Sequence, residues 1–494
     1  MATSNSLQRA LFITYYFPPS NTPGSIQRLR LIKSMAQFGW EIVVLTTSHS
    51  FEFGSMCDVK LMNEIPKGLP VYRTRSWEMF SEYRVPLTIG DWHSRFDPSQ
   101  YQTLMYRVVH RAFSILREKL KRLTSMFIPD DKTGWVMPAY LTARRLLSEQ
   151  HFDCIVTMAM PHSSHLIGYL LKVARPDLRW VAYSEDPWTL CDYVDRPKWQ
   201  MHLGRMKLER WLERRIFERA DHNIVNTSMS RLAHMRLIPS AAHKISVVTC
   251  SFDPVDLETI NQKPHERFRI QYLGRFFGAR TPRYFLWGLR QLLDRRPELW
   301  QKLEIRFTGN FGWDPEYAKW NRAYISDYGL ESIIITEPSV SHREGLQRLA
   351  DSDATLVVGA PIASDGLYIP SKIFEYIAAG KPVLALAASP GATTNLVRSL
   401  DCGQVAAPND VAAISQAIED LYDGRNSAAY QTIAQKFLDS RYGPYVNARD
   451  FFTSLSGCTV QPQPLHMSHN DLSNLQPLLP LPGYVLRNYQ PGDE

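Results

Sequence analysis

The chain has 494 residues, of which 44% are hydrophobic and 21% charged. It is long enough for two or three domains, and its composition excludes a largely disordered or fibrous chain. The formal net charge of +7 mildly favours polyanionic partners such as membrane surfaces or nucleotides, and charge alone is too little to predict a nucleic-acid partner. The six cysteines form no C-x-x-C pair, which favours reduced thiols in a cytoplasmic protein. No run of about 18 apolar residues occurs, so we expect any membrane contact to be peripheral, on the inner membrane face.

The N-terminal stretch predicts a strand, a loop, a helix and a second strand. Residues 11–17 form a continuous apolar and aromatic run, as in a strand buried on both faces. The segment 18–25 is rich in proline and serine and predicts a loop. An amphipathic helix pattern then runs to Gly39, and residues 41–47 read as the next strand. This order is a βαβ unit, which implies a parallel sheet.

The same alternation continues along both halves of the chain. In the first half we predict further strands and helices at 153–158 (strand), 166–173 (helix), 179–183 (strand), 209–219 (helix), 222–226 (strand) and 245–248 (strand). In the second half we predict strands at 268–273, 303–307, 332–336, 354–358 and 382–387. The helices predicted there are 283–293, 371–379, 411–422, 430–439 and 446–455.

This alternation predicts an α/β fold with two Rossmann-like domains that face each other across a cleft. We expect residues 1–260 to form the N-terminal domain and 261–440 the C-terminal domain, with a polar linker at 261–266. A C-terminal helix within 441–458 is expected to cross back to the first domain. The proline-containing tail 459–494 shows no period and is expected to be disordered or loosely docked.

Residues 105–127 have the pattern of a basic amphipathic helix, with apolar side chains on one face and arginines and lysines on the other. Such a helix can lie on an anionic membrane. An ordinary surface helix packed on the core gives the same stripe and is the plainer interpretation.

The segment 370–383, PSKIFEYIAAGKPV, combines a helix pattern, a glutamate at 375 and a small-small-Gly-x-Pro turn before a strand. It resembles the donor-site helix of retaining glycosyltransferases with the two-domain GT-B fold, of the large family 4 type. Three other stretches resemble that family in the same order, and together the resemblance spans residues 10–455. They are YFPP at 16–19 followed by Gly24 and Arg28, DPW at 186–188, and YLGR at 272–275.

One position departs from the family pattern. Many members carry an earlier glutamate in an E-x7-E arrangement, and the matching residue here is Leu367, with Asp365 close by but out of register. This chain resembles the subset that has Pro-Ser-Lys in this stretch. The usual role of the first glutamate therefore cannot be assigned to a residue here.

The resemblance implies a GT-B glycosyltransferase that uses a nucleotide sugar and retains anomeric configuration. It implies an acceptor-side N-terminal domain and a C-terminal domain that binds the nucleotide sugar. By resemblance, Glu375 accepts hydrogen bonds from the ribose hydroxyls, and Gly274 and Arg275 lie in the loop that faces the diphosphate. An exposed helix glutamate remains the alternative interpretation of Glu375.

The leaving diphosphate gains negative charge as the glycosidic bond breaks, so a metal, basic side chains or helix N-termini must stabilise it. Arg275, Lys372 and Arg280 are the basic candidates, although each could instead simply solvate a loop. The string Asp351-Ser352-Asp353 matches a D-x-D metal motif but precedes a predicted strand, where a capping turn is expected. We therefore expect no metal and no cofactor, with the nucleotide sugar as a substrate.

Further candidates lie in or beside first-half loops that follow predicted strands, where sheets of this type bind ligands. Gly24 and Arg28 are donor-binding candidates: Gly24, with no side chain, lets backbone N–H groups approach a phosphate or sugar, and Arg28 lies on the first turn of the helix after it. We expect Glu185 or Asp186 to contact the acceptor or the transferred sugar, with His162 or His165 nearby. Helix capping by these loops, and an ordinary turn glycine at 24, are the alternatives.

Three other functions compete with this interpretation. A non-catalytic nucleotide-sugar-binding protein and a UDP-sugar epimerase would share the fold. A nicotinamide dehydrogenase would need G-x-G-x-x-G, and the segment 273–278, LGRFFG, lacks the middle glycine. The sequence leaves open the donor nucleotide, its sugar and the acceptor, which could be lipid-linked, a growing polysaccharide or a small molecule. The charge and the basic helix favour assembly of a surface polysaccharide or glycolipid.

Overall fold

The computed structural model describes residues 8–35, 39–48, 57–77, 128–191, 203–250, 252–253, 263–312, 315–424, 430, 432–434, 437 and 444–456. The segment 105–127, the tail 459–494 and Cys458 lie outside these residues. In the described part, no helix is long and apolar enough to cross a bilayer. The other five cysteines are free thiols, and four of them are buried.

The first domain is built on a parallel sheet of seven described strands. In chain order these are β1 (Gln8–Thr14), β2 (Trp40–Thr47), β3 (Val71–Thr74), β4 (Cys154–Ala159), β5 (Trp180–Ser184), β6 (His222–Val225) and β7 (Ile245–Val247). Across the sheet they lie in the order β3-β2-β1-β4-β5-β6-β7. The helices of this part are α1 (Pro23–Met35), α2 (Val136–Glu149), α3 (Ser163–Ala174), α4 (Leu203–Arg219) and α5 (Ser228–Leu237).

The second domain is built on a parallel sheet of six described strands. They are β8 (Phe268–Leu273), β9 (Leu303–Thr308), β10 (Ile334–Glu337), β11 (Ala354–Val358), β12 (Val383–Leu386) and β13 (Gly403–Ala406), and they lie in the order β10-β9-β8-β11-β12-β13. Its helices are α6 (Arg283–Arg295), α7 (Pro315–Asp327), α8 (His342–Ala350), α9 (Lys372–Ala378), α10 (Ala392–Leu400) and α11 (Val411–Asp423).

The central strands of both sheets are buried on both faces because helices cover each side. Phe12 in β1 pairs with Val44 on one side and Val156 on the other, and all three are fully buried. In the second sheet, Ile270 and Leu356 are equally buried. The prediction of an α/β fold with two parallel-sheet domains is confirmed.

The last described helix, α12 (Pro444–Ser456), packs against the first sheet. The Phe451 ring lies 5.9 Å from the ring of Phe12 and 5.6 Å from that of Tyr183. The Arg179 guanidinium donates hydrogen bonds to the backbone oxygens of Leu455 at 2.9 Å and Ser454 at 3.1 Å. Apolar packing and these two bonds tie the helix to the N-terminal half of the chain.

The two domains share an apolar cluster. Met229 and Leu232 of α5 are buried in the same cluster as Leu367 and Phe374 of the second domain. The Thr227 hydroxyl, which also caps α5, donates a hydrogen bond to the backbone oxygen of Leu367. These contacts hold the domains together beside the loops that form the candidate site.

Candidate functional site

Each sheet has one point where its strand order reverses, and ligands of open α/β sheets bind there, beyond the ends of the strands. In the first sheet this point lies between β1 and β4, and in the second between β8 and β11. Gly24 lies in the first turn of α1, just after the loop that follows β1, so its predicted place in that loop is wrong; the loop with His162 follows β4. Gly274 follows β8, and the stretch with Asp365 follows β11. Sequence-predicted residues therefore lie at the reversal points of both sheets.

Arg28 joins the three loops at the ligand-binding edge of the first sheet. Its side chain is 1% exposed and binds Glu185 bidentately, with Nε to Oε1 and Nη2 to Oε2 both at 3.1 Å. It also donates to the backbone oxygens of Tyr16 at 3.2 Å and Met160 at 2.8 Å. A Cβ at Gly24 would lie 3.0 Å from Glu185 Oε2, so the glycine leaves room for this pair.

The pKa of the Glu185 carboxyl group lies near neutral pH. Burial, which Arg28 opposes and the charge of Asp186 reinforces, raises the pKa of Glu185 to about 7. Asp186 is half-buried beside it. A carboxyl group with such a pKa can hold or release a proton at neutral pH.

The two histidines near this edge have different environments. The His162 ring is buried and stacks on Trp188, with 5.0 Å between the ring centroids and 9° between the planes. His165 is held inside the domain, with Nδ1 2.8 Å from Thr157 Oγ1 and Nε2 3.1 Å from Ser184 Oγ. Burial lowers the pKa of His165 to about 3, so it is neutral at physiological pH. Of the two histidines, His162 is the one that contacts the loop of Glu185, through the ring of Trp188.

Gly274 and Lys372 meet at the ligand-binding edge of the second sheet. Gly274 has φ +142°, and a Cβ there would collide with Lys372 Nζ. The Lys372 ammonium donates a hydrogen bond to the backbone oxygen of Leu273 and lies 5.0 Å from the Tyr272 ring centroid. Burial lowers the pKa of Lys372 to about 8, with a smaller contribution from the charge of Arg280. Arg275 follows Gly274 and is half-buried.

Arg280 is bound to an acid of its own domain. Its Nη2 donates to Asp365 Oδ1 at 2.9 Å, and the Tyr368 hydroxyl donates to the same oxygen at 2.7 Å. The guanidinium carbon also lies 4.8 Å from the Phe277 ring centroid and 5.1 Å from that of Tyr368. Asp365 is 7% exposed, so this is a mostly buried ion pair. The positive charge of Arg280 is therefore largely neutralised by Asp365.

Glu375 contacts an arginine of the opposite domain. Arg30 of α1, which is 5% exposed, donates from Nη2 to Glu375 Oε1 at 2.8 Å. His342 Nε2 lies 3.4 Å from that nitrogen and 3.9 Å from the same carboxylate oxygen. Sequence analysis missed Arg30 because its partner lies 345 residues away in the chain. The pair also shows that α1 and α9 face each other across the domain boundary.

Leu367, which stands where the family that the sequence resembles has its first glutamate, is fully buried in the cluster shared by the domains. No carboxylate extends from this position. The nearest acid in sequence, Asp365, is bound to Arg280 as described above.

No family model and no curated protein sequence matches the chain. Solved structures do match it over most of its length. Sucrose-phosphate synthase from Thermosynechococcus elongatus is 15% identical with a TM-score of 0.58, and the match covers 90% of this chain and 98% of the other. HepE from Anabaena, solved with UDP and glucose, is 14% identical with a TM-score of 0.60, covering 91% and 99%. WaaG, a glycosyltransferase involved in lipopolysaccharide biosynthesis, is 14% identical with a TM-score of 0.55, covering 91% and 100%.

The chain has the GT-B fold. Its two parallel sheets and this full-length likeness to glycosyltransferase structures decide the architecture. In this GT-B chain Gly24, at the start of α1, and Gly274, after β8, lie at the reversal points of the two sheets, and the Arg30–Glu375 ion pair joins the two domains.

The D-x-D string lies at the opposite end of the second sheet of this GT-B fold. Asp353, just before β11, accepts hydrogen bonds from the backbone N–H of Arg269 and from His265 Nε2, both at 2.7 Å. Asp351 accepts from the backbone N–H of Lys263 at 2.9 Å. Within the described ranges, no three His, Cys, Asp or Glu side chains are grouped as a metal site requires. Independence from metal stays a prediction.

Proposed function

We propose that the chain is a glycosyltransferase that moves a sugar from a nucleotide-sugar donor to an acceptor hydroxyl. The observation that carries this proposal is the Arg30–Glu375 contact, which joins the two domains near their ligand-binding edges. Lys372 approaches Gly274 on the second domain, which also carries Glu375. On the first domain, Arg28 binds Glu185, and Arg28 lies two residues before Arg30 on α1.

In this proposal the second domain holds the nucleotide. Glu375 accepts hydrogen bonds from the ribose hydroxyls, and Lys372 and Arg275 bind the diphosphate beside Gly274. The close approach of Lys372 to Gly274 supports this, because it puts an ammonium where the loop has no side chain. An incoming phosphate would favour the charged form of Lys372, whose pKa is about 8 in the protein alone. Arg280 is bound to Asp365, so we assign it a smaller part in binding the diphosphate than Lys372 and Arg275.

The transfer step requires stabilisation of the departing diphosphate and removal of a proton from the acceptor. We assign the first task to Lys372 and Arg275, without a metal. We propose that Glu185 or Asp186 contacts the acceptor or the transferred sugar, with His162 beside them, and that Gly24 admits the donor's phosphate or sugar. Retention of anomeric configuration, with the leaving phosphate helping to deprotonate the acceptor, is part of the proposal by resemblance.

We propose an acceptor in surface-polysaccharide or glycolipid assembly, reached by peripheral contact with the inner membrane face. The net charge of +7 supports contact with an anionic surface, and the basic segment 105–127 is a candidate for it. WaaG acts in lipopolysaccharide biosynthesis, whereas sucrose-phosphate synthase is also among the matching structures, so a small soluble acceptor is the competing choice.

A thermal-shift screen of the purified chain against UDP, GDP, ADP, CMP and their common sugars tests the donor site. A ligand at about a hundred times its dissociation constant stabilises the protein by roughly 2.7 kcal/mol, which a thermal shift detects readily. We expect one nucleotide class to raise the melting temperature of the wild type and of Glu331→Ala, an exposed glutamate of the same domain. Glu375→Ala should lose the shift. No shift with any nucleotide would contradict the proposal.

The same samples separate the competing functions. Release of the nucleoside diphosphate from a bound nucleotide sugar would support a transferase. Conversion of the bound nucleotide sugar into its epimer, followed by nuclear magnetic resonance, would instead identify an epimerase. Binding with neither reaction would identify a non-catalytic nucleotide-sugar-binding protein.

A further inference from the structure

Helix α1 carries two buried arginines that serve different domains. Arg28 is 1% exposed and binds Glu185 of its own domain, whereas Arg30 is 5% exposed and binds Glu375 of the other domain. Two positions along an α-helix correspond to a rotation of about 200°, so the two guanidinium groups leave the helix on opposite sides. One side of α1 therefore belongs to the candidate acceptor side and the other to the candidate donor side.

The Glu375 carboxylate is engaged at one oxygen only. Oε1 accepts from Arg30 Nη2 at 2.8 Å, and His342 Nε2 lies 3.9 Å from that same oxygen. Within the described residues, Oε2 receives no hydrogen bond. The Glu375 side chain is 17% exposed, so part of the carboxylate is reachable from outside the protein.

A carboxylate has about four lone-pair sites, and one guanidinium N–H occupies one of them. The remaining sites are enough for the two hydroxyls of a ribose, with at least one hydrogen bond to Oε2. Arg30 and a ribose can thus bind Glu375 together. A glutamate on a short helix would otherwise rotate freely about its side-chain bonds, and that freedom would be lost when a ligand binds.

We propose that Arg30 is a positioning residue of the donor site, which holds Glu375 Oε1 from the opposite domain and presents Oε2 to the ribose of a nucleoside diphosphate. This inference rests on the proposed function, in which Glu375 binds ribose. It assigns the first domain a part in recognising the nucleotide. It also makes Arg30 matter only for nucleotides whose sugar carries the hydroxyls that Glu375 binds.

Binding of UDP and GDP, each compared with its 2′-deoxy form, tests this role by titration calorimetry on the full chain. The variants are Arg30→Gln, Glu375→Gln and the double variant. Lys33→Gln is the matched control, because Lys33 lies on the same helix but binds Glu64 at 3.0 Å and Asp253 at 3.5 Å. We expect Arg30→Gln to weaken binding of the ribonucleotide by about tenfold, the order of coupling between residues in contact. The 2′-deoxy nucleotide should be weakened by less than about twofold, since part of the coupling is already lost with the hydroxyl.

Non-additivity is the second expected result. The double variant should bind no more weakly than Glu375→Gln alone, because Arg30 acts through that carboxylate. Equal weakening of both nucleotide forms by Arg30→Gln, or tighter binding of the ribonucleotide, would overturn the inference. If Arg30→Gln does not fold, Arg30→Lys keeps the charge with a different geometry and should show the same selective loss to a smaller extent.

The outcomes distinguish this inference from the proposed function. If Glu375→Gln binds the ribonucleotide as the wild type does, the proposed ribose contact is wrong and the role of Arg30 falls with it. If Glu375→Gln weakens binding while Arg30→Gln does not, the proposed function stands and only the role of Arg30 is wrong.

Discussion

The guanidinium of Arg28 donates two hydrogen bonds of 3.1 Å to the carboxylate of Glu185, although the two residues lie 157 positions apart in the chain. The pair ties the first helix of the N-terminal domain to the loop after β5. Arg28 also donates hydrogen bonds to the backbone oxygens of Tyr16 and Met160. One buried side chain thus fixes three loops of the candidate acceptor side.

Replacing Arg28 with Gln should therefore destabilise the first domain. The change leaves Glu185 and two backbone oxygens without their donor, and breaking a buried ion pair in this way costs about 3 kcal/mol or more. The midpoint of urea unfolding, followed by circular dichroism, measures the loss. Arg9→Gln is the control, since Arg9 pairs with Glu41 at the surface and such pairs are worth about 1 kcal/mol or less. Equal midpoints for the two variants would contradict the structural role of Arg28.

The pKa of Glu185 predicts an unusual pH dependence of stability. Burial raises the pKa of Glu185 from 4.5 to about 7, so between these values the folded chain binds more protons here than the unfolded chain. The contribution of Glu185 to stability should therefore be full below about pH 4.5 and fall as the pH rises to about 7. Melting temperatures of the wild type and Glu185→Gln between pH 5 and 8 measure this, because all other groups cancel in the difference. A difference that grows in favour of the wild type with rising pH would show that the pKa is not raised.

Lys372 should be required for the reaction rather than for folding. Removing one group that stabilises developing charge typically lowers kcat by about a hundredfold to a thousandfold. We expect Lys372→Met to show such a loss in diphosphate release with little change in melting temperature. Lys319→Met, an exposed lysine of the same domain, should keep full activity. Activity of Lys372→Met close to the wild-type value would rule out its assigned role.

Asp186→Ala should separate the acceptor side from the donor side. Asp186 is next to Glu185 on the first domain, whereas the proposed nucleotide contacts lie on the second. We expect transfer to fall by about tenfold or more, on the scale of a lost polar contact in a transition state, with an unchanged thermal shift by the nucleotide. Asp177→Ala, an acid of the same domain that is 75% exposed, is the control. Full transfer activity in Asp186→Ala would remove this residue from the proposed site.

Much of the fold was predictable because the central strands are continuous apolar runs with turn-forming residues between them. The edge strands β3 and β13 were missed, since each has only four residues and is largely half-buried, and β13 begins at a glycine. Helices α2, α5, α7, α8 and α10 were missed as well, although α8 has a signal in the sequence. Ser341 and Glu344 form a capping box, which the segment SHRE at 341–344 shows in the sequence.

The site was predictable in part. Family resemblance led to Glu375, and the order of strands and loops placed Gly24, Glu185 and Lys372 near ligand-binding edges. The pairings could not be predicted, because Arg28–Glu185 and Arg30–Glu375 each join residues more than 150 positions apart. Arg30 is the clearest case, because the pattern of apolar and polar residues in α1 does not indicate that its side chain contacts the other domain.

The decisive experiment for glycosyl transfer is release of a nucleoside diphosphate from nucleotide sugars. The chain would be incubated with UDP- and GDP-sugars, with and without a lipid or polysaccharide extract as the acceptor source, and the released UDP or GDP measured. We expect release from one nucleotide class, faster with the acceptor source and abolished by Glu375→Ala and by Lys372→Met. Release from no nucleotide sugar under any condition, by a folded chain that binds the nucleotide, would contradict the proposed glycosyl transfer.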